Sequence, residues 1–360
     1  MERLEAMGWS PVWASALQAV DPSGAYLPAR VSLEQRGVYG LWAAAGELRA
    51  ERAGKLVHHA ESSEALPTVG DWVAMSPHSG GAEGTIHHVL ARASALTRRR
   101  PDRPARSQVL AANVDVVFVV TSANQNFNPR RIERTLAVVA ESGADAVLVL
   151  SKLDLCGDLG ELAREARGAA GDTPVLPLSS QTGEGIEAFV ETLGPGRTGV
   201  LVGSSGVGKS TLTNRLLGAD VQKTLEVRAD DDRGRHATSH RELFLLPGGG
   251  VLIDTPGIRE IGLWADEGDV GAVFSDVEEL AAQCRFHDCG HAGEPDCAVQ
   301  AEIAAGRLDP ARLESMRKLE REAQVIRAKR DARARHEDRK EKKRFAKKVR
   351  NRPDKRRPPQ

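Results

Sequence analysis

Residues Gly203-Ser204-Ser205-Gly206-Val207-Gly208-Lys209-Ser210 decide how the central part of this chain folds. They match the phosphate-binding pattern G-x-x-x-x-G-K-[ST] at every position. The glycines let the backbone curl so that several N–H groups point at phosphate oxygens, the lysine supplies a cation for the β- and γ-phosphates, and the serine hydroxyl is a ligand for Mg²⁺. A strand predicted over 199–202 precedes the loop, and a helix predicted from Thr211 follows it with its N-terminus toward the phosphates. The stretch therefore predicts a nucleoside triphosphate site with Mg²⁺.

Two loops upstream indicate that the base is guanine. The first follows an apolar strand predicted over 146–150, and its aspartate, Asp154, can accept hydrogen bonds from both N1–H and the 2-amino group of guanine. Adenine has no such pair of donors, and the stem of Lys152 can pack on the ring. The second loop follows a strand predicted over 175–178, where it can touch the base edge. The predicted base-reading residues are Ser151, Lys152, Leu153, Asp154, Ser179 and Ser180.

The γ-phosphate side of the site is predicted downstream of the phosphate loop. A buried-strand pattern over 251–253 ends in Asp254, which suits a contact to the shell of Mg²⁺, and the N–H of Gly257 can meet a γ-phosphate and lose it after hydrolysis. Between the phosphate loop and this strand, residues 219–241 are mostly polar with few apolar anchors, which is typical of a segment that senses the γ-phosphate.

The order of these motifs is unusual, because Lys152 and Asp154 lie more than 50 residues before Lys209. A circular permutation explains this order. In these motifs the chain resembles the RsgA (YjeQ) family of GTPases that depend on the small ribosomal subunit, over roughly residues 30–310. The resemblance implies an N-terminal OB barrel, a permuted GTPase domain and a C-terminal zinc module.

The same resemblance implies two catalytic residues. Residues 234–239 match the family pattern Gly-Arg-His-Thr-Thr-Thr with two of the three threonines replaced. Thr238 keeps the middle hydroxyl and is the candidate for a second protein ligand of Mg²⁺, after Ser210. The residue after Gly257 is Ile258, which has no polar atom to hold the attacking water, so His236 is the candidate that positions it.

A cluster near the C-terminus predicts a metal centre. Cys284, Cys289, His291 and Cys297 have the spacing C-x4-C-x-H-x5-C, which offers three thiolates and one imidazole to a tetrahedral Zn²⁺. Four protein ligands leave no open position, so the zinc is expected to be structural. His287 lies inside the cluster but outside the spacing, and we interpret it as a bystander.

The rest of the chain divides by pattern. Short strands predicted over 31–33, 38–42, 55–58, 69–75 and 84–90 indicate a small barrel. Their periodicity fits an OB or an SH3-like barrel equally, and the family resemblance implies OB. From residue 113 strands and helices alternate, which predicts a mostly parallel sheet with ligands at the carboxyl ends of its strands. The expected segments are an extension (1–29), the barrel with a basic linker (30–106), the permuted GTPase domain (107–268), the zinc module (269–326) and a basic tail (327–360).

Charge is distributed unevenly along the chain. Residues 327–360 contain 17 Lys and Arg against 5 Asp and Glu, so this tail carries +12 and the rest of the chain −12. A basic tail on an acidic body is typical of an arm that binds nucleic acid, although such a tail can also serve solubility alone. The N-terminus has no long apolar run, so no signal peptide or membrane span is expected, and four cysteines do not suggest a disulfide framework.

The sequence thus predicts a multidomain protein: an all-β OB-type barrel, an α/β circularly permuted P-loop GTPase domain, and a zinc-bound, mostly helical module with a basic tail. It is expected to be a cytoplasmic monomer that binds GTP and GDP and hydrolyses GTP on the small ribosomal subunit during late assembly, contacting rRNA. Two other hypotheses stay open at this stage. One is an RNA-binding module gated by nucleotide with negligible hydrolysis, and the other is a P-loop ATPase or kinase with an unrelated zinc domain.

Overall fold

The computed structural model describes residues 2–35, 37–60, 62–100, 103–123, 127–157, 159–204, 206–218, 241–254, 273–321 and 324. Four of the predicted site residues, Ser205, His236, Thr238 and Gly257, lie outside these ranges, as does the basic tail. Within the described part of the chain, no helix is both long enough and apolar enough to cross a bilayer.

The N-terminal unit is a closed five-stranded barrel. Its strands are β1 (Leu27–Gln35), β2 (Val38–Ala43), β3 (Gly46–Arg52), β4 (Trp72–Pro77) and β5 (Glu83–Val89). The ladder runs β1-β2-β3-β5-β4 and closes because β1 also pairs with β4, and only β3 and β5 run parallel. Alternate residues such as Tyr39 and Leu41 point inward to the core, as the two-residue repeat of a strand requires. The predicted OB-type barrel is confirmed.

Three local predictions for this half of the chain were wrong. Residues 55–58 were predicted as a strand, but they lie in helix α3 (Gly54–His59), which connects β3 to β4. The strand β3 itself was missed. The stretch predicted as a basic linker forms an antiparallel hairpin, β6 (Ala95–Arg100) with β7 (Arg103–Ala112), in which Arg100 pairs with Arg103.

The N-terminal extension, which the sequence did not place, forms two helices that pack on the barrel. These are α1 (Glu2–Ala6) and α2 (Pro11–Val20). Trp9 stacks edge-on against Trp72 at 4.8 Å between ring centroids, and Trp13 lies 6.3 Å from the same ring. Together with Leu4 and Leu90 they form a separate apolar cluster. The two tryptophans thus anchor the extension, as aromatic pairs in small cores commonly do.

The central unit alternates strands and helices. Its strands are β8 (Val116–Ser122), β9 (Asp145–Ser151), β10 (Val175–Pro177), β11 (Thr198–Val202), β12 (Arg241–Leu245) and β13 (Val251–Asp254). Its helices are α4 (Pro129–Ala140), α5 (Leu159–Ala170), α6 (Ile186–Leu193) and α7 (209–218). The sheet order is β10-β9-β8-β11-β13-β12, and only β12 is antiparallel to its neighbour. The continuous apolar run of β8 is buried at every position, as expected of a parallel strand covered on both faces.

The C-terminal unit consists of short helices around a cysteine-rich loop. They are α8 (Ser275–Ala281), α9 (Ala298–Ala304) and α10 (310–321). Its apolar residues, among them Phe274, Val299 and Leu313, belong to the same core cluster as Leu136 of α4 and Ala169 of α5. The module therefore packs on the helices of the central unit and shares one core with them.

Candidate nucleotide site and metal centre

The phosphate loop follows β11 at the carboxyl end of the sheet, where the sequence placed it. Gly203 adopts a φ of +152°, and a Cβ added there would lie 2.2 Å from the carbonyl oxygen of Val120 in β8. Only glycine fits this close approach of two backbones. Gly206 and Gly208 also have positive φ values, which lets the loop turn before α7 begins. The ammonium of Lys209 donates to the carbonyl oxygens of Gly203 and Ser204, at 2.6 and 2.9 Å.

The remaining loop residues take the predicted positions around this turn. Val207 is buried in the core, while Ser210 and Thr211 are exposed in the first turn of α7. Their hydroxyls are therefore accessible to a metal ion and to phosphate oxygens. Asp254 ends β13, two strands from β8 in the sheet, at the same carboxyl edge.

The base-reading loop lies directly against the phosphate loop. Lys152 adopts a left-handed conformation with φ +62°, and its ammonium donates to the carbonyl oxygen of Gly206 at 2.7 Å. Ser151 is 2% exposed, and its hydroxyl oxygen lies 3.0 Å from the carbonyl oxygen of Thr121 and 2.5 Å from that of Val207. Motifs more than 50 residues apart in the chain are thus joined into one site.

The aspartate of the base-reading loop is already oriented by a neighbouring loop. Asp154 lies in a 3-10 turn (Leu153–Leu155), and its Oδ1 accepts a hydrogen bond of 2.5 Å from the hydroxyl of Ser179. The N–H of Leu153 reaches the carbonyl of Leu178 at 3.4 Å, which ties the two loops together. Asp154 is exposed, and Ser180 is half-buried beside it. A fixed, accessible carboxylate at this edge is what recognition of the guanine N1–H and 2-amino donors needs.

Sequence reasoning missed the contribution of β8 to the site. The carbonyls of Val120 and Thr121 contact Gly203 and Ser151, and these backbone groups carry no side-chain signal. It also missed Arg215 of α7, whose guanidinium would lie 2.7 Å from a Cβ added at Gly183 in the Ser179 loop. The loop passes close to α7 at this glycine, whose φ of +90° also disfavours a side chain.

The predicted metal ligands are brought together in the C-terminal unit. One ligand atom from each of Cys284, Cys289, His291 and Cys297 lies within 4.8 Å of the others. His287 is exposed and outside the group, as predicted. The 4.8 Å limit on the distances between the ligand atoms is wider than a closed tetrahedral site requires. The three thiols and one imidazole nevertheless match the donors of a structural Zn²⁺ in kind and number.

Local contacts hold the ligand loop in shape. His291 has a φ of +55°, its ring Nδ1 lies 3.4 Å from the sulfur of Cys297, and its carbonyl accepts from the side chain of Gln300 at 2.5 Å. The carboxylate of Glu294 accepts from three backbone N–H groups, those of Gly290, Ala292 and Gly293. The backbone N–H of Glu294 itself, together with these three donors, lowers the pKa of this carboxyl against the opposing effect of burial.

The thiols of this group resist ionising together. Burial opposes ionisation of Cys284, yet backbone N–H donors at Val299 and Ala298 lower its pKa overall. At Cys289 the N–H of His291 favours the thiolate, but burial and the adjacent thiols raise its pKa to about 11. A bound divalent cation would supply the positive charge that lets all three thiolates form.

Comparison with known proteins settles what this arrangement is. A family model described as RsgA GTPase matches residues 89–264. A curated small ribosomal subunit biogenesis GTPase RsgA from Opitutus terrae is 48% identical over 328 residues, which cover 89% of each chain. The chain belongs to the RsgA GTPase family. A second RsgA of the same description, from Streptomyces avermitilis, is 45% identical and covers 94% of this chain and 90% of its own.

Solved structures agree with the RsgA assignment. YjeQ from Thermotoga maritima is 26% identical, with a TM-score of 0.63 over 83% of this chain and 98% of the other. YloQ, described as a circularly permuted GTPase, has a TM-score of 0.61 at 23% identity over 84% and 96% of the two chains, and shows the same fold. This RsgA-family chain is therefore a GTP-hydrolysing enzyme with a permuted GTPase fold, and the predicted order of its motifs follows from that permutation.

Proposed function

We propose that this GTPase binds the small ribosomal subunit and hydrolyses GTP there during late assembly, in the cytoplasm and as a monomer. The observation that carries the proposal is the joined site: Asp154 is held by Ser179 for guanine, while Lys152 contacts the phosphate loop through Gly206. The relatives named above are described as small ribosomal subunit biogenesis GTPases. An ATPase or kinase would leave the oriented Asp154 without a role.

The proposed roles of the site residues follow from their positions. Guanine contacts Asp154 and the stem of Lys152, supported by Ser151, Leu153, Ser179 and Ser180. The triphosphate lies on the N–H groups of the loop from Gly203 to Gly208 and on Lys209, while Ser210 holds Mg²⁺ and Thr211 lies beside the phosphates. Asp254 contacts the shell of the metal ion. Ser205 and Gly257 are proposed to donate N–H groups to the phosphates, Thr238 to bind Mg²⁺ and His236 to position the attacking water.

The metal centre is proposed to hold one structural Zn²⁺ on Cys284, Cys289, His291 and Cys297. The ion would hold the loop between α8 and α9 in shape. It would take no part in catalysis, because protein ligands occupy all four coordination positions. The loop packs through Cys284 and Cys289 against the core that α4 and α5 share with the C-terminal unit. Loss of the metal would therefore disturb the GTPase helices as well as the module.

Contacts to rRNA are proposed for the barrel, the zinc module, the basic tail and the β6–β7 hairpin. The hairpin carries five arginines in nine residues, at 98, 99, 100, 103 and 106. A two-stranded ribbon rich in arginine can follow a phosphate backbone, and each neutralised phosphate releases counterions. This supports RNA binding over an exposed hinge for the stretch that was predicted to be a basic linker.

The experiment that tests the proposed function is GTP turnover titrated with purified small subunits. Turnover is expected to be slow for the protein alone and to rise to a plateau with the small subunit but not with large subunits. A comparison of GTP with ATP binding should show a preference for GTP. Turnover that does not respond to small subunits would contradict the proposal, and binding without any turnover would favour an RNA-binding module gated by nucleotide.

A further inference from the structure

Arg30 of the barrel lies at a junction of four segments of the chain. It is 1% exposed, and its guanidinium donates to the carbonyl oxygens of Met7, Gly70 and Asn113 and, at 2.7 Å, to the hydroxyl of Thr198. These acceptors belong respectively to the N-terminal extension, the turn before β4, the segment before β8, and the first residue of β11. One side chain therefore joins the extension, the barrel and the GTPase sheet.

The contacts of Arg30 depend on the shape of its guanidinium. All four acceptors are uncharged, and they lie in different directions, so that only a forked group with several N–H donors reaches them together. The guanidinium also lies over the ring of Trp72, 5.4 Å from its centroid. Burial lowers the pKa of Arg30 to about 10, and the nearby carboxylates of Asp115 and Asp71 oppose this shift, so the group stays charged at neutral pH.

A cavity of about 370 Å³ lies beside this junction. It is lined by the same segments, including Gly8 and Trp13 of the extension, Asp115 and Thr198 of the GTPase unit, and Arg30 itself. This space is partly open to solvent, so the extension and the GTPase unit are not packed tightly against each other on this side of Arg30.

The junction is connected to the nucleotide site along two strands. Thr198 begins β11, and the phosphate loop starts at Gly203 directly after that strand, about 16 Å away for five residues of extended chain. Further along the barrel strand β1, Glu34 pairs with Arg241 of β12, and the neighbouring Glu242 lies opposite Asp254 of β13. The barrel strand β1 thus contacts β11, which leads to the phosphate loop, through Arg30, and it pairs with β12, which in turn pairs with the strand that ends at Asp254.

We propose that Arg30 is a positioning residue that couples the barrel to the nucleotide site through its bond to Thr198. A shift of the barrel would pull on β11 through this bond, and ordering of the phosphate loop by nucleotide would in turn stabilise the barrel, since coupling between two sites is reciprocal. A role of this coupling in sensing rRNA rests on the proposed function, in which the barrel binds rRNA. The coupling itself can be observed with guanine nucleotide alone.

Hydrogen exchange of the full-length protein, with and without Mg²⁺ and GDP, tests the coupling. In the unmodified protein, nucleotide is expected to slow exchange in the phosphate loop and also in β1 and β4 of the barrel, there by about five-fold, the factor that corresponds to one net hydrogen bond. Thr198→Val removes the acceptor and keeps the shape of the side chain. In this variant the phosphate loop should stay protected, while the barrel strands lose the effect of nucleotide.

Two further variants make the comparison decisive. Thr213→Val is the matched control, because the Thr213 hydroxyl is also buried but has no hydrogen-bond partner among the residues that the structure describes, and it should keep the unmodified pattern. Arg30→Lys keeps the charge and loses the forked donors, so this variant should behave like Thr198→Val. If Thr198→Val does not fold, Arg30→Lys takes its place in the comparison. The proposal is wrong if nucleotide leaves the barrel of the unmodified protein unaffected, or if Thr198→Val and Arg30→Lys keep the protection. Failure of the proposed function would instead appear as GTP turnover that does not respond to small subunits.

Discussion

The hydroxyl oxygen of Ser151 lies 2.5 Å from the carbonyl oxygen of Val207, which bonds the base-reading loop to the phosphate loop beside the contact of Lys152 with Gly206. The same oxygen also lies 3.0 Å from the carbonyl of Thr121. A serine has only one hydrogen to donate, and the two carbonyls must share it. An asparagine at this position would offer an amide with two N–H donors, one for each carbonyl.

Ser151→Asn is therefore expected to tighten GDP binding by about five-fold, the equivalent of one net hydrogen bond of about 1 kcal/mol. Ser151→Ala, which leaves both carbonyls without a donor, should weaken it. Titration of a fluorescent GDP analogue measures both. GTP should remain preferred over ATP in every variant, because Asp154 provides most of the discrimination; equal affinity for GTP and ATP would refute this interpretation of the loop.

Ser179→Ala is expected to weaken GTP binding by roughly ten-fold, because the hydroxyl holds Asp154 in place with a bond of 2.5 Å to a charged acceptor. The loss should be greater for GTP than for inosine triphosphate, which lacks the 2-amino group and so depends less on the orientation of the carboxylate. Gln181→Ala is the control, since Gln181 is exposed in the same loop. Equal losses for the two nucleotides would mean that Ser179 supports only the fold of the loop.

Features of the site that depend on backbone geometry and charge were predictable from the sequence, whereas contacts made by backbone carbonyls were not. The phosphate loop was predictable because the glycine and lysine positions are fixed by backbone geometry and charge, and the structure gives Gly203 the contact with Val120 that excludes a side chain. The contact of Ser151 with Thr121 was not predictable, because the acceptor is a backbone carbonyl, which every residue type has. Residues 55–58 were predicted as a strand because a run of four mixed apolar and polar residues fits the period of a strand or of a helix, and in the structure they form the helix between β3 and β4.

Glu133→Gln is expected to change how stability depends on pH. Glu133 is buried between α4 and α10, 3.6 Å from Arg312, and within the described part of the chain its second carboxylate oxygen has no hydrogen-bond partner. Burial raises its pKa above the ordinary value of 4.5, against the attraction of Arg312. A raised folded pKa means that the folded state binds the proton more tightly, so this contribution is present below the ordinary pKa and is lost as pH rises through the folded value.

Glutamine does not titrate, and the thermal midpoint of Glu133→Gln relative to the unmodified protein should therefore increase from acidic to neutral pH. Thermal unfolding followed at several pH values measures this difference. Glu187→Gln, on an exposed position of α6, should show no such trend. A difference that stays constant, or falls toward neutral pH, would show that the ion pair with Arg312 outweighs burial.

Deletion of residues 327–360 is expected to weaken binding to the small subunit and to flatten its salt dependence, because the tail contains 17 basic residues. Basal GTP turnover should stay near normal. A full-length control in which the basic residues of the tail are replaced by glutamine separates charge from chain length, and it should behave like the deletion. Affinity that is unchanged at low and moderate salt would show that the tail does not contact RNA.

His236→Ala addresses the catalytic step itself. Ras-like GTPases orient the attacking water with a glutamine just after the Asp-x-x-Gly motif, but here Gly257 is followed by Ile258, which offers no polar atom. The imidazole of His236 can accept a hydrogen bond from that water. We therefore expect His236→Ala to abolish hydrolysis stimulated by the small subunit while GTP affinity stays within a few-fold, a loss confined to the transition state.

The control is His287→Ala, which replaces an exposed histidine outside the metal group and should retain stimulation. Single-turnover hydrolysis measures the rate of the chemical step, and nucleotide titration measures GTP affinity. Normal stimulated turnover in His236→Ala would contradict the assignment and pass the role to Thr238, Ser239 or a group of the ribosome.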